Sequence, residues 1–127
     1  MFGRAMADRH GVGIIVSATT RAQVDDVVYR ELDRVRVKGK DEPVAIYEPL
    51  GVRGEVDAAE LEELALWDAA LQRYRAQQWE AAAAQLYNLS RRNPQRALYA
   101  LYAKRVAHYR EHPPGDAWDG VTTFETK

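Results

Sequence analysis

With 127 residues, 46% of them hydrophobic and 29% charged, the chain has the composition of an ordinary globular protein, which excludes disorder over its whole length. That length supports one modest core, or two small ones that lean on each other. A formal net charge of −1 gives no field of one sign to draw in nucleic acid or an anionic membrane surface, and zero cysteines exclude disulfides and thiolate metal sites.

The first ten residues are charged throughout and lack the apolar stretch of a signal peptide. No later run is long and apolar enough to suggest a membrane span, so a cytoplasmic location is expected. Ile14-Ile15-Val16 is a continuous apolar run, read as a short buried strand covered on both faces. Ser17 and its neighbours offer N-caps for a short helix that ends near Asp25-Asp26. No His and acid form a recognisable motif with Ser17, so it reads as a cap and not as a nucleophile.

From Val27 an alternating pattern runs to Val37, with its phase slipping near Leu32-Asp33, which predicts a bulge or bend. Lys38-Gly39-Lys40-Asp41-Glu42-Pro43 has turn chemistry and Val44-Ala45-Ile46-Tyr47-Glu48 reads as a returning strand, so residues 35–47 are expected to form an antiparallel hairpin. Glu31 and Asp33 are flanked by Arg30, Arg34 and Arg36, and cross-strand ion pairing accounts for them better than catalysis does.

Beyond residue 50 the composition turns to Ala and Leu. The expected division is residues 1–50 as a β segment, 51–58 as a linker and 59–127 as a helical extension, an α+β chain overall. Leu61, Leu64, Ala65, Trp67, Ala70, Leu71 and Tyr74 mark the apolar stripe of a first helix. Ala82, Ala83, Leu86, Tyr87 and Leu89 mark a second, from about Trp79 to Arg92, stopped by Asn93-Pro94. A third, over residues 95–110, carries Leu98, Leu101, Tyr102, Val106 and Tyr109.

Trp67, Ala70, Leu71, Tyr74, Ala83, Tyr87, Ser90 and Pro94 follow the order and nearly the intervals of one tetratricopeptide repeat. Leu71 stands where the motif has Gly, and Pro94 falls one residue early. Trp67, Trp79, Tyr74, Tyr87, Tyr99 and Tyr102 are read as helix-packing residues in preference to a peptide-binding surface. His10, His108 and His112 are read as surface or helix-end residues, so no metal site is assigned.

Residues 29–48, Tyr-Arg-Glu-Leu-Asp-Arg-Val-Arg-Val-Lys-Gly-Lys-Asp-Glu-Pro-Val-Ala-Ile-Tyr-Glu, resemble the last strands of bacterial class III adenylate and guanylate cyclases, with Val37-Lys38-Gly39-Lys40 the strongest element. His10-Gly11-Val12-Gly13-Ile14-Ile15-Val16-Ser17-Ala18-Thr19-Thr20-Arg21 is similar to that family's preceding strand and its Ser-x-x-Thr segment. The tail Pro113-Pro114-Gly115-Asp116-Ala117-Trp118-Asp119-Gly120-Val121 resembles the end of bacterial cyclases that carry a helical extension.

The resemblance implies a C-terminal cyclase segment followed by a tetratricopeptide-like extension. The intact reaction, a nucleoside triphosphate to a cyclic nucleotide and pyrophosphate, uses Mg²⁺ or Mn²⁺ on two aspartates and an Asn and Arg pair at the transition state. Those residues and the base-selecting ones lie upstream of the matched region. No catalytic residue is therefore assigned here, and neither ATP nor GTP is favoured. Lys38 is the implied contact to the nucleotide phosphates, with Lys40 its alternative. The implied partners are a second copy or the remainder of a cyclase domain. The other reading is a non-catalytic tetratricopeptide-like module that binds a protein through its helices.

Overall fold

A computed structural model describes residues 7, 10–23, 25–37 and 42–124, except for the side chains of Val37 and Phe124. These residues form a mixed α and β structure with a four-stranded sheet and four helices. The chain divides into two compact units, Met1–Asp57 with Val121–Lys127, and Ala58–Gly120.

The sheet runs in the order β1-β3-β2-β4. Its elements are β1 (Val16–Ser17), β2 (Val27–Val37), β3 (Val44–Val52) and β4 (Thr122–Phe124), with helix α1 (Ala18–Gln23) between β1 and β2. The expected hairpin is present, and it is longer than the alternation implied. β2 and β3 pair antiparallel from Val27–Val52 to Val35–Val44. Its register shifts twice, placing Leu50 as an extra residue on β3 and Leu32 as an extra residue on β2.

The Leu32 bulge lies where the sequence phase slips. Val28, Arg30 and Leu32 are buried before it, and Asp33 and Val35 after it, so the bulge keeps one face of β2 inward across the slip. α1 starts as expected, since the Thr20 N–H donates to Ser17 Oγ at 3.3 Å.

The expected buried strand at Ile14-Ile15-Val16 is corrected. Ile15 is buried, yet Ile14 is 63% exposed and β1 begins only at Val16, on the sheet edge. β1 pairs Val16 with Tyr47 and Ser17 with Ile46. Continuing that register sets Ile14 opposite Pro49, which has no N–H to give. The tail also departs from its expected place in the helical part, because Thr122–Phe124 adds to the sheet as β4, parallel to β2.

The helical unit comprises α2 (Ala58–Arg75), α3 (Trp79–Arg92) and α4 (Ala97–Glu111). α2 buries Glu63, Trp67, Ala70, Leu71 and Tyr74. That face is narrower than the expected stripe and excludes Leu61, which is 44% exposed. At about 100° per residue, Leu61 stands roughly 120° around the helix from Trp67, and the aromatic side chains decide which side faces in. α3 buries Ala82, Leu86 and Leu89 and leaves Tyr87 63% exposed, a second correction.

α2 ends at Arg75 and the turn after it passes through Gln77, whose φ of 61° is left-handed in a residue other than glycine. The Gln78 N–H donates back to Arg73 O at 2.9 Å, closing the turn. The Gln77 side chain donates to Gly115 O at 2.6 Å, an interaction that offsets a backbone cost of about 1 kcal/mol.

Leu71 is 3% exposed, so Leu71→Ala should destabilise the helical unit by about 2–5 kcal/mol, whereas Leu61→Ala should change stability by less than about 1 kcal/mol. Denaturant titration followed by far-ultraviolet circular dichroism separates the two. Equal effects would refute the assigned face.

Candidate functional site

The polar residues that the sheet draws inward lie on one face of β2. The bulge at Leu32 turns Asp33 in, and Asp33 Oδ2 lies 2.7 Å from His10 Nε2 with both side chains essentially inaccessible. Asp33 Oδ1 also accepts the Arg34 N–H at 2.9 Å. Two residues before the bulge pair, Arg30 stands opposite Glu48 in the β2–β3 register, with Nε 3.9 Å from Oε1. Arg30 is fully buried, while the Glu48 side chain keeps 16% of its exposure.

One sequence expectation is corrected at this point, since His10, read as a surface residue, is fully buried. Asp33, read as an ion-pairing residue, has the His10 ring against its carboxylate. A carboxylate taken out of water needs a partner, and the imidazole supplies one. The phase slip that turns Asp33 inward was the available signal. Cross-strand pairing does occur, between Arg30 and Glu48.

The His10–Asp33 pair is closed to a substrate, and in the Arg30–Glu48 pair the carboxylate side keeps partial exposure. Their chemistry is to hold the segment around His10 and both arms of the hairpin together, and so to fix the scaffold that leads to residues 38–41. Lys38 and Lys40, the expected phosphate contacts, lie outside the described residues.

His108 and His112 come together one turn apart at the end of α4, with ring centroids 5.0 Å apart, although the sequence reading treated them separately. Among the described residues no group of three His, Cys, Asp or Glu side chains could hold a metal ion. No described helix is long and apolar enough to cross a membrane.

The helical unit has a groove of its own between α3 and α4. It encloses about 280 Å³ and is lined by Ala83, Leu86, Tyr87, Ala103, Val106 and Arg110, among others. Arg91 stacks its guanidinium 5.9 Å from the Tyr87 ring, and Arg110 Nη2 lies 3.8 Å from Glu80 Oε1. The remaining aromatics mostly form core. Trp67, Tyr74, Tyr99 and Tyr102 are buried, and Trp118 of the tail lies 5.3 Å from Tyr74 and 5.1 Å from Tyr109 between ring centroids.

Set against family models, curated proteins and solved structures, the chain matches none.

His10→Ala should destabilise the sheet unit by on the order of 3 kcal/mol, because it leaves the Asp33 carboxylate buried without its ring partner. The double variant His10→Phe with Asp33→Leu should recover much of that loss, read as a non-additive double-mutant cycle in denaturant titrations. Additive losses would mean that the pair does not act as a pair.

Proposed function

We propose that this chain is the C-terminal segment of a class III adenylate or guanylate cyclase, joined to a tetratricopeptide-like extension, and that it is catalytically silent by itself. The observation that carries the reading is the order of elements around the hairpin. A short strand, a helix capped by the Ser17-x-x-Thr20 segment and a long antiparallel pair follow one another, and residues 38–43, which hold Lys38-Gly39-Lys40, join that pair. This is the order that the sequence resemblance implies.

In the intact enzyme Lys38 would set its ammonium against the phosphates of the nucleoside triphosphate as a mobile point charge. The cyclase reaction draws its Mg²⁺ or Mn²⁺ through aspartates upstream of the matched region, and the described residues offer no group that fits such an ion. The partner is the remainder of a cyclase domain or a second copy, which would add strands at the sheet edge where Ile14 is exposed. The location that accompanies this reading is the cytoplasm.

A second reading, a protein-docking role for the helices, draws on the α3/α4 groove and its exposed Tyr87. Capture of a partner that survives Lys38→Ala and is lost in Tyr87→Ala would favour it.

Supplied with ATP or GTP and Mg²⁺ or Mn²⁺, the purified chain should form no cyclic nucleotide, and turnover would overturn the assignment of catalytic groups to upstream residues. Joined to a cyclase segment bearing the aspartates and the Asn and Arg pair, it should support cyclisation. Lys38→Ala should then lower kcat/KM by about tenfold or more, the loss expected for one charge-assisted hydrogen bond. An inactive joined chain, or an unaffected Lys38→Ala variant, would refute the proposal.

A further inference from the structure

The last turn of α4 carries two histidines at the spacing His-x-x-x-His, in His108-Tyr109-Arg110-Glu111-His112. Residues four apart on a helix lie on one face, which is how two imidazoles come to share a cation. Their ring centres are 5.0 Å apart, with the planes tilted by 37°. A cation held by one nitrogen of each ring at about 2.0–2.1 Å stands about 3.2 Å from each ring centre, so ligands at square or tetrahedral angles have centres about 4.5–5.2 Å apart. The observed separation falls inside that window. Both side chains are exposed, and the broad χ2 torsion of histidine lets each ring aim a nitrogen at a shared point without moving the backbone.

The backbone beneath the pair is held from both sides. The His112 N–H donates to His108 O at 2.9 Å, closing the turn that joins the two residues. Pro113 follows at once, and a residue before proline is kept out of the helical region, where the His112 φ of −132° and ψ of 73° indeed do not lie. The carbonyls at a helix C-terminus add a partial negative charge that favours a cation there. Arg110 stands about 200° around the helix from His108. Its Nη2 lies 3.8 Å from Glu80 Oε1. Lys104, one turn before His108, is exposed, where water and salt screen its charge.

We propose that His108 and His112 form a bidentate site for a divalent transition cation of the Zn²⁺, Ni²⁺ or Cu²⁺ class, with water in the remaining positions. Imidazole nitrogen suits these ions, whereas Mg²⁺ takes oxygen ligands and is not bound here. The site is separate from the metal chemistry of the cyclase reading and stands whether or not that reading holds. Once bound, the cation fastens the last turn of α4, because the two ligands meet only while residues 108–112 keep their turn.

Calorimetric titration of the full chain, free of any affinity tag, with Zn²⁺ and Ni²⁺ should show one equivalent for which both histidines are needed, and Mg²⁺ should not compete for it. His108→Ala and His112→Ala each remove one of the two ligands, and each should weaken that binding by tenfold or more. Both positions are exposed, so the variants should keep the wild-type far-ultraviolet circular dichroism. Two equivalents in the wild type, falling to one of unchanged affinity in either variant, would mean two separate imidazoles and overturn the chelate. Binding that neither substitution weakens would place the ion elsewhere and overturn it too, as would no binding of either ion up to about 1 mM. In proton NMR spectra the ring signals of His108 and His112 should move along one common Zn²⁺ titration curve, and movement of one ring alone would refute the shared site.

Discussion

A carboxylate buried at a β-bulge has to be answered from elsewhere in the chain, and in the sheet unit that answer is the His10 ring 2.7 Å from Asp33. Without the extra residue at Leu32, the alternation of β2 would turn Asp33 outward and Arg34 inward. With it, Val28, Arg30, Leu32, Asp33 and Val35 all face the interior. The bulge thus secures a continuous buried face, and its cost is an acid that must be satisfied. His10 meets that need from a segment well separated in sequence, which ties the approach to β1 to the middle of the hairpin. Arg30 and Glu48, directly opposite one another, add a second polar tie across the two strands.

The helical unit solves the same problem with different chemistry. Glu63 lies inside α2, where it accepts from the Tyr99 hydroxyl at 2.5 Å and sits 3.5 Å from Arg96 Nε. Asn93 Nδ2 reaches the same carboxylate at 3.4 Å. One acid therefore fastens α2 to the connection between α3 and α4 and to the first turn of α4. Around it, Trp67 and Tyr74 each meet Tyr102 edge to face at a ring separation of 4.9 Å, a geometry that adds quadrupole attraction to the area buried.

Much of this was readable where the governing interactions are local. The hairpin, the slip near Leu32, the Ser17 cap and the second helix each have signals within a few residues, namely alternation, a capping hydroxyl or a stopping proline. What the sequence left hidden depends on partners far away. His10 gives no local sign of Asp33. Leu61 and Trp67 belong to the same periodic stripe, and only packing separates them. Tyr87 sits at a spacing that suits a core, yet the face it occupies is open. Thr122–Phe124 is too short to announce itself, and a parallel partner has no adjoining turn to mark it. For the candidate site, the scaffold was legible in the alternation, and the buried pairs that stiffen it were not.

The parallel pairing of β4 with β2 has a consequence for how the molecule comes together. The two strands bracket the entire helical unit in sequence, so during synthesis α2, α3 and α4 emerge before the sheet can take its fourth strand. Loop closure over that span is costly for an extended chain and cheaper once the intervening helices have collapsed into a compact unit. The helices are therefore expected to fold first, through local contacts, with the edge of β2 waiting for its last neighbour until Thr122–Phe124 has been made.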